Sequence, residues 1–553
     1  MKLVGDFETT TYLDDENRTR VWASCLVDID TLNTVGIWNN IDDFMKYLSN
    51  KNTEVYFHNL KFDGEFIIHW LLTHGFTLND SKESNTFQTS ITDLGIFYSI
   101  TVYFKTMNKR YHKVVFYDSL KKLPLKVSQI AGAFELEESK LIIDYKAERE
   151  IGHVLTKEEE EYIKADCIIV AKALKTQFEK GLTKMTVGSD AMADFKMRFG
   201  EKKFEKYFPV FPLEMDADLR QAYKGGFTWL NKKYANQRIK SGLVYDVNSL
   251  YPSVMYDCPL PYYYPIYFEG EYEQDDEHPL YIQRLQCSFE FKEGYIPTIQ
   301  LKNNYGFNGT EYLESSRGEI VDMVVTSVDL KLMKEHYILK NEHYISGFKF
   351  KAHTGFFKEY IDYWGEVKKN STGGMRQLAK LMLNNLYGKF GTNPRDVQKL
   401  PYLDEDGKVC YKYSDETFRE PIYIPMACFI TAWARYKTIT SAQALYDRII
   451  YCDTDSLHIV GTEVPDNIEI HPKNLGCWAH EATFTDSKFL RAKTYMETID
   501  GVPHVTCAGM PENVKATVTY DTFTYGAVFG GKLTPRRHKG GIILEETNFT
   551  IKT

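Results

Sequence analysis

Two acidic pairs constrain most tightly how this chain can fold. Asp6-Phe7-Glu8 directly follows the apolar Leu3-Val4, and Asp453-Thr454-Asp455 separates Ile449-Ile450 from Leu457-His458-Ile459-Val460. Residues i and i+2 of a strand share a face, so Asp6 and Glu8 would stand side by side next to a buried run. Like charges there need solvent or a cation between them. An exposed strand end serves the first pair as well as a metal does. The second pair sits in a tight turn, where hairpins ordinarily use Asn-Gly or Asp-Gly. It has no glycine, which favours a metal.

Other acids fall in with these. Asp63 closes His58-Asn59-Leu60-Lys61-Phe62-Asp63, after a predicted strand at 54–57; alone it reads as a cap or turn residue. Tyr162 and Asp166 lie four apart on a helix predicted over about 155–180, which Thr156 and Glu159 would cap. Alone they read as a solvated pair. Together Asp6, Glu8, Asp63, Tyr162 and Asp166 could hold two divalent ions and position a water. Asp246, ending a predicted strand at 243–245, joins Asp453 and Asp455 as a second set. Hard divalent ions take carboxylate oxygens, and a pair of them suits phosphodiester chemistry.

With 43% hydrophobic and 14% aromatic residues among 553, the chain can bury real cores, which excludes a disordered or fibrous protein. A net charge of −9 excludes a uniform polycation but leaves room for a local basic groove. The nine cysteines are scattered with no CxxC pair, so neither a disulfide framework nor a zinc site is expected, and a reduced cytoplasmic setting fits. No apolar run reaches signal or membrane-spanning length, so no membrane association is expected. Strands predicted at 2–7, 21–27, 54–57, 97–104 and 113–117, before the long helix, suggest an α/β unit of roughly 185 residues. Residues 258–355 show little helical period, and 269–277, with six acids, reads as a solvated loop or hairpin tip. Residues 358–390 and 426–448 read as helical and 391–425 as an inserted hairpin.

Residues 366–395 carry six basic groups (Lys368, Lys369, Arg376, Lys380, Lys389, Arg395) and one acid, Glu366. On a helix, Arg376, Lys380, Asn384 and Tyr387 fall within an arc of roughly 80°. Leu378, Leu381, Met382 and Leu386 lie opposite, with Leu383 at the margin. The cations suit a triphosphate and the aromatic a base; an ordinary solvated face is the alternative. Lys493-Thr494-Tyr495 and the basic segment 530–539 could touch a nucleic-acid backbone. The glycines of Tyr223-Lys224-Gly225-Gly226 would allow a strand to approach closely.

In this order, these motifs resemble the family B DNA polymerases of the protein-primed group, the phi-29 phage type, nearly end to end. Asp6–Thr9, 58–63 and Tyr162-x-x-x-Asp166 are similar to its three exonuclease motifs. The segments at 246–253, 380–388 and 451–456 are similar to polymerase motifs A, B and C, and Lys493-Thr494-Tyr495 to the KxY motif. Asn384-Asn385 departs from the usual Asn-Ser of motif B. Thr431-Ala432-Trp433-Ala434-Arg435 stands where the wider family has Thr-x-x-Gly-Arg.

The resemblance implies an RNase H-like α/β exonuclease domain over 1–185 and a right-hand polymerase domain over 186–553. Within the latter it implies a palm at about 186–257 and 426–480, fingers at 356–390 and a thumb at 481–553. Inserts at 258–355 and 391–425 would dock a terminal protein and close a ring round DNA. It implies two Mg²⁺ per site, replaceable by Mn²⁺, on Asp6, Glu8 and Asp166 and on Asp246, the Val247 carbonyl, Asp453 and Asp455, with Asp453 in a supporting part. Asp63 and Tyr162 would assist exonucleolysis. Tyr251, Lys368, Lys380, Asn384 and Tyr387 would bind the dNTP, Tyr251 excluding a 2′-OH. Asn59, Phe62, Ser119, Leu120, Lys140, Tyr223, Gly225, Gly226, Thr431, Arg435, Lys493 and Tyr495 would bind primer or template. The expected enzyme is a monomeric DNA polymerase acting in a host cytoplasm, with proofreading and strand displacement. A nuclease with a DNA-binding second half, a non-catalytic scaffold and a polymerase using ordinary primers are the alternatives.

Overall fold

The alternation of apolar and acidic residues in the strand Lys2–Thr9 gives it two different faces. Leu3 and Phe7 enter one core with Phe57 and Phe66, while Val4 enters another with Tyr162 and Cys167. Asp6 and Glu8 share the face of Val4. The computed structural model describes residues 1–106, 111–302, 304 and 306–552. Among them the first strand lies inside an eight-stranded sheet. The order is Thr34–Trp38, Val21–Asp28, Lys2–Thr9, Thr53–Phe57, Tyr111–Asp118, Phe97–Lys105, Thr86–Ile91, Thr77–Leu78. Lys2–Thr9, Thr53–Phe57 and Tyr111–Asp118 are parallel.

Parallel neighbours need long crossovers. The crossover after Thr53–Phe57 starts with the helix Leu60–Thr73, which the sequence reading lacked because the buried acids Asp63 and Glu65 break its apolar period. The long helix forms as expected, over Lys157–Glu179. Glu159 N–H donates to Thr156 Oγ1 at 3.2 Å and Thr156 N–H to Glu159 Oε2 at 3.0 Å, a cap worth about 1 kcal/mol. Its buried face sets Tyr162 and Asp166 against the acidic face of the first strand.

A second sheet organises the rest, in the order Val502–Cys507, Thr494–Ile499, Trp478–Arg491, Gly242–Val247, Ser456–Val460, Ile449–Asp453, Thr228–Leu230. The helix Ile424–Ala444 is buried along most of its length in the adjoining core. Three expectations change. The boundary at 480 falls inside the continuous strand Trp478–Arg491, which pairs with Gly242–Val247, so the sheet runs on to Cys507. Residues 258–355 hold a four-stranded sheet and also a helix, Ser327–His336, started where Thr326 accepts the Asp329 N–H at 3.1 Å. Residues 358–390 form two helices, Lys358–Asn370 and Gly373–Phe390, divided where Gly373 takes φ +52°.

The inserted hairpin pairs Lys399–Leu403 with Val409–Tyr413, and a last hairpin pairs Val528–His538 with Gly541–Thr550. The acidic tract links Leu260–Glu269 to Leu280–Phe291; within it Asp275 meets Lys349 at 2.7 Å. All nine cysteines are unpaired. Among the described residues no helix is long and apolar enough to cross a membrane.

Candidate active sites

The first site assembles from three elements. The first strand brings Asp6 and Glu8, the first turn of Leu60–Thr73 brings Asp63, and the long helix brings Tyr162 and Asp166. Asp6, Glu8, Tyr162 and Asp166 line a cavity of about 200 Å³ together with His58, Lys140 and Tyr145, and Asp63 lies behind it within electrostatic reach of Asp6 and Glu8. Burial, and then Asp166, push the Asp6 carboxyl up to about 7. Burial, and then neighbouring acids, hold Glu8 and Asp63 well above the usual carboxylate range. Asp166 takes Lys140 Nζ on Oδ2 at 2.7 Å. Its Oδ1 and the Oδ1 of Asp63 are buried without a hydrogen-bond partner.

The expected primer-end residues divide. Asn59, at φ +77°, and Leu120 both donate their N–H to Asp118 Oδ1, at 3.1 and 3.0 Å, and Phe62 is half-buried on Phe66. Ser119 departs from expectation: it is fully buried, its Oγ between the Phe57 carbonyl (3.1 Å) and His58 Nδ1 (3.0 Å), so its side chain fixes His58. His58 and Tyr145 are site residues that sequence reasoning missed. His58 stood in view beside Asn59, whereas Tyr145, whose hydroxyl meets that of Tyr162, lies in a stretch without secondary structure.

The second site lies where strands Gly242–Val247 and Ser456–Val460 end together. Asp246 is in register with Ser456, and Val247 N–H donates to the Asp455 carbonyl at 2.8 Å. Thr454, at φ +59°, turns the chain so that Asp455 follows Asp453 tightly. Burial, then Asp455 and Glu481, push the Asp246 carboxyl up to about 7, and burial also raises Asp455. Glu481, absent from the sequence reading, sits two residues beyond Ala479, the strand partner of Asp246. Asp453 is engaged elsewhere: it pairs with Lys493 and accepts from the Tyr451 hydroxyl at 3.1 Å and from Thr228 at 3.3 Å. Tyr495 stacks on Phe489, 5.1 Å away.

The basic helix presents its stripe as expected. Arg376, Lys380 and Asn384 are exposed and Tyr387 half-buried, while Leu378, Leu381, Met382, Leu383 and Leu386 are buried. Burial, then Lys380 and Arg376, lower Lys368, so these three cations face one another. Lys380 in turn opposes the rise at Asp246. The rings of Tyr251 and Tyr387 stack at 3.9 Å and 14°.

Two expected DNA contacts are corrected. Arg435 is 2% exposed: it grips Asp329 at 2.7 Å and donates to the Lys224 and Gly225 carbonyls at 2.9 and 2.8 Å. Thr431, equally buried, donates to the Ala427 carbonyl at 2.9 Å. Both lie inside the central helix, out of reach of a ligand. Gly226 is needed for an internal contact, because a Cβ there would lie 2.6 Å from Thr454; Gly225 faces open space. Tyr223 packs against Gly391, past the end of the basic helix. In the segment 530–539, Arg537 is taken up by Glu65 at 2.9 Å.

Among the described residues no group of three or more His, Cys, Asp or Glu forms a ready-made metal cage. Mg²⁺ rarely needs one, since it binds through one or two carboxylates, waters and substrate phosphates. Carboxyls raised by burial and by neighbouring acids and an all-oxygen donor set fit such an ion at both sites, and the first adds the orphaned buried oxygens of Asp63 and Asp166.

The profile of the family described as DNA polymerase type B, organellar and viral, matches residues 45–472. The DNA polymerase of Bacillus phage B103 is 51% identical, over 99% of both chains. That of Bacillus phage phi29 is 49% identical, over 99% of this chain and 98% of the other. A solved structure of phi29 DNA polymerase complexed with primer-template DNA superposes with a TM-score of 0.95 at 48% identity over the whole of both chains. Its ternary complex with primer-template DNA and incoming nucleotides gives 0.94. The chain thus shares a multidomain frame of exonuclease, palm, fingers and thumb, and it belongs to the organellar and viral type B DNA polymerases, among the phi29-like enzymes.

Proposed function

We propose that this polymerase replicates a phage-type linear genome in a host cytoplasm as a monomer. It starts from a terminal protein, displaces the non-template strand and proofreads with a 3′–5′ exonuclease. The observation that carries the reading is the pair Asp246 and Asp455 at adjoining strand ends, both carboxyls raised by burial, with Asp246 within electrostatic reach of Lys380 on an acid-free stripe. Its close relative binds primer-template DNA and nucleotides on the same frame.

Asp246, Asp455 and the Val247 carbonyl would hold two Mg²⁺ for synthesis, and Asp6, Glu8 and Asp166 two for trimming. Bound there, the ions would make the attacking oxygen easier to deprotonate and stabilise the leaving group. Asp453, tied to Lys493, keeps the primer-end lysine in place instead of adding a ligand. Lys368 and Lys380 neutralise triphosphate charge, with Asn384 beside them. Tyr387 lines the nascent base pair and Tyr251 lies under the deoxyribose. Lys493 and Tyr495 hold the primer end in the palm; Asn59, Phe62 and Leu120 hold it in the exonuclease site, where Lys140, Tyr162 and Asp63 position the water. Tyr223 and Gly225 line the passage between the sites. The palm extends to 507 along its continuous sheet, and the thumb follows.

Paired variants test the reading. Asp246→Asn should lower primer extension about 10³-fold while 3′-end degradation persists, and Asp6→Ala with Glu8→Ala should do the reverse. Loss of both activities in either variant contradicts separate sites. Transfer of a first nucleotide to a hydroxyl of a terminal protein tests the priming mode, and exclusive use of nucleic-acid primers contradicts it.

A further inference from the structure

Glu65 lies two residues beyond Asp63 on the helix Leu60–Thr73, roughly 200° round from it, and its side chain is 1% exposed. An unpaired carboxylate is strongly disfavoured in such a place. Its partner comes from the last hairpin: Arg537 Nε reaches Glu65 Oε1 at 2.9 Å. The same guanidinium lies 4.8 Å from the ring centre of Tyr411, on the inserted hairpin. Glu65 Oε2 and the Tyr411 hydroxyl are buried with no aligned hydrogen-bond partner, each within the other's electrostatic reach.

Three parts of the molecule therefore meet at one buried charge. Apolar contacts follow the same path. Val409 of the inserted hairpin and Ile542 of the last one both enter the exonuclease core. Gly541 approaches so closely that a Cβ there would lie 2.4 Å from the Phe66 ring. The far root of the inserted hairpin is held by Arg395 on Asp93 at 2.9 Å. Apolar packing alone could hold these hairpins down. A buried ion pair adds little net stability over an apolar replacement, but losing one partner is strongly destabilising, so the contact closes fully or opens.

We infer that Glu65 is a positioning residue for long-run synthesis: with Arg537 and Tyr411 it latches the inserted and last hairpins onto the exonuclease domain, closing the protein around duplex DNA. This rests on the proposed role of residues 391–425 as a segment that encircles DNA.

The test compares full-length wild type with Glu65→Ala, Glu65→Gln, Arg537→Ala and Glu65→Ala/Arg537→Ala. Single-encounter run length on a primed single-stranded circle with a heparin trap should fall about fivefold in each alanine variant, less in Glu65→Gln, and no further in the double variant. Single-nucleotide kcat and exonuclease on single strands should stay within twofold. Amide exchange in both 399–413 and 528–550 should rise about tenfold in free Glu65→Ala. Unchanged exchange overturns the latch, as does a double variant whose effect is the product of the singles. Equal losses in kcat, exonuclease and run length mark a merely structural residue and also overturn it. If wild type itself releases the circle after a few nucleotides, the encircling role fails, while exchange still decides the latch.

Discussion

The two acid clusters reach similar carboxyl environments by different means. In the exonuclease part, four acids arrive from a strand, a crossover helix and a long helix, and Lys140 is the cation bound among them. In the palm, two adjacent strand ends deliver everything. One of the three acids is bonded to Lys493, and Lys380 and its neighbours supply positive charge from the fingers. The first cluster is deeply buried, and Lys140, with Arg149 beside Glu8, opposes the rise of its carboxyls. The second is an open floor balanced from the opposite wall. On the proposed assignment, the first cluster has to admit only a water and a strand end, whereas the second must admit a triphosphate that brings its own negative charge.

Beside the second cluster lies a buried ion pair, Arg435 with Asp329, and breaking it should have the largest effect. Arg435→Ala strands Asp329 in the core and should destabilise by about 3–5 kcal/mol, read as a lowered denaturation midpoint. Loss of DNA affinity at unchanged stability would contradict the internal role of Arg435. In the exonuclease cluster, Lys140→Met should lower 3′-end degradation about 10²-fold and leave nucleotide addition intact; equal losses would mean that the two clusters share their charge balance. Across the palm floor, Tyr251→Val should relax exclusion of ribonucleotides roughly tenfold to a hundredfold, measured as a ratio of kcat/KM values. An unchanged ratio defeats the gate.

The smallest expected effect is one the clusters share. Asp6 and Asp246 titrate near 7 when folded, against an ordinary 3.8. The folded state therefore binds more protons between those values, and without a cation these groups make it less stable as pH rises from about 4 to 7. A divalent ion needs the deprotonated form. Mg²⁺ should raise the Tm by a few degrees more at pH 8 than at pH 6, and equal shifts would contradict cation-driven balance at either cluster.

What the sequence showed depended on whether a signal was local. The capped helix 157–179, the acidic hairpin turn at 453–455 and the stripe from Arg376 to Tyr387 each rest on neighbours a few residues apart, and each folds as read. The helix carrying Asp63 was hidden because buried acids replace its apolar positions. Arg435 and Thr431 carried the right residue types for DNA contact, but their burial is decided by packing around Asp329, far away in sequence. Gly226 also serves an internal contact that its motif did not announce, since a Cβ there would lie 2.6 Å from Thr454. Glu65 bore no local mark, and Arg537 stood out only as part of the basic segment 530–539, because their meaning comes from a contact across almost the entire chain.

Crystals of the complex with primer, template and incoming nucleotide, soaked in Mn²⁺, would locate the ions by anomalous scattering. Two peaks within coordination distance of Asp246 and Asp455, with Asp453 still on Lys493, are the predicted outcome. Absence of any peak beside those two carboxylates would contradict the assignment of the palm floor as the site of synthesis.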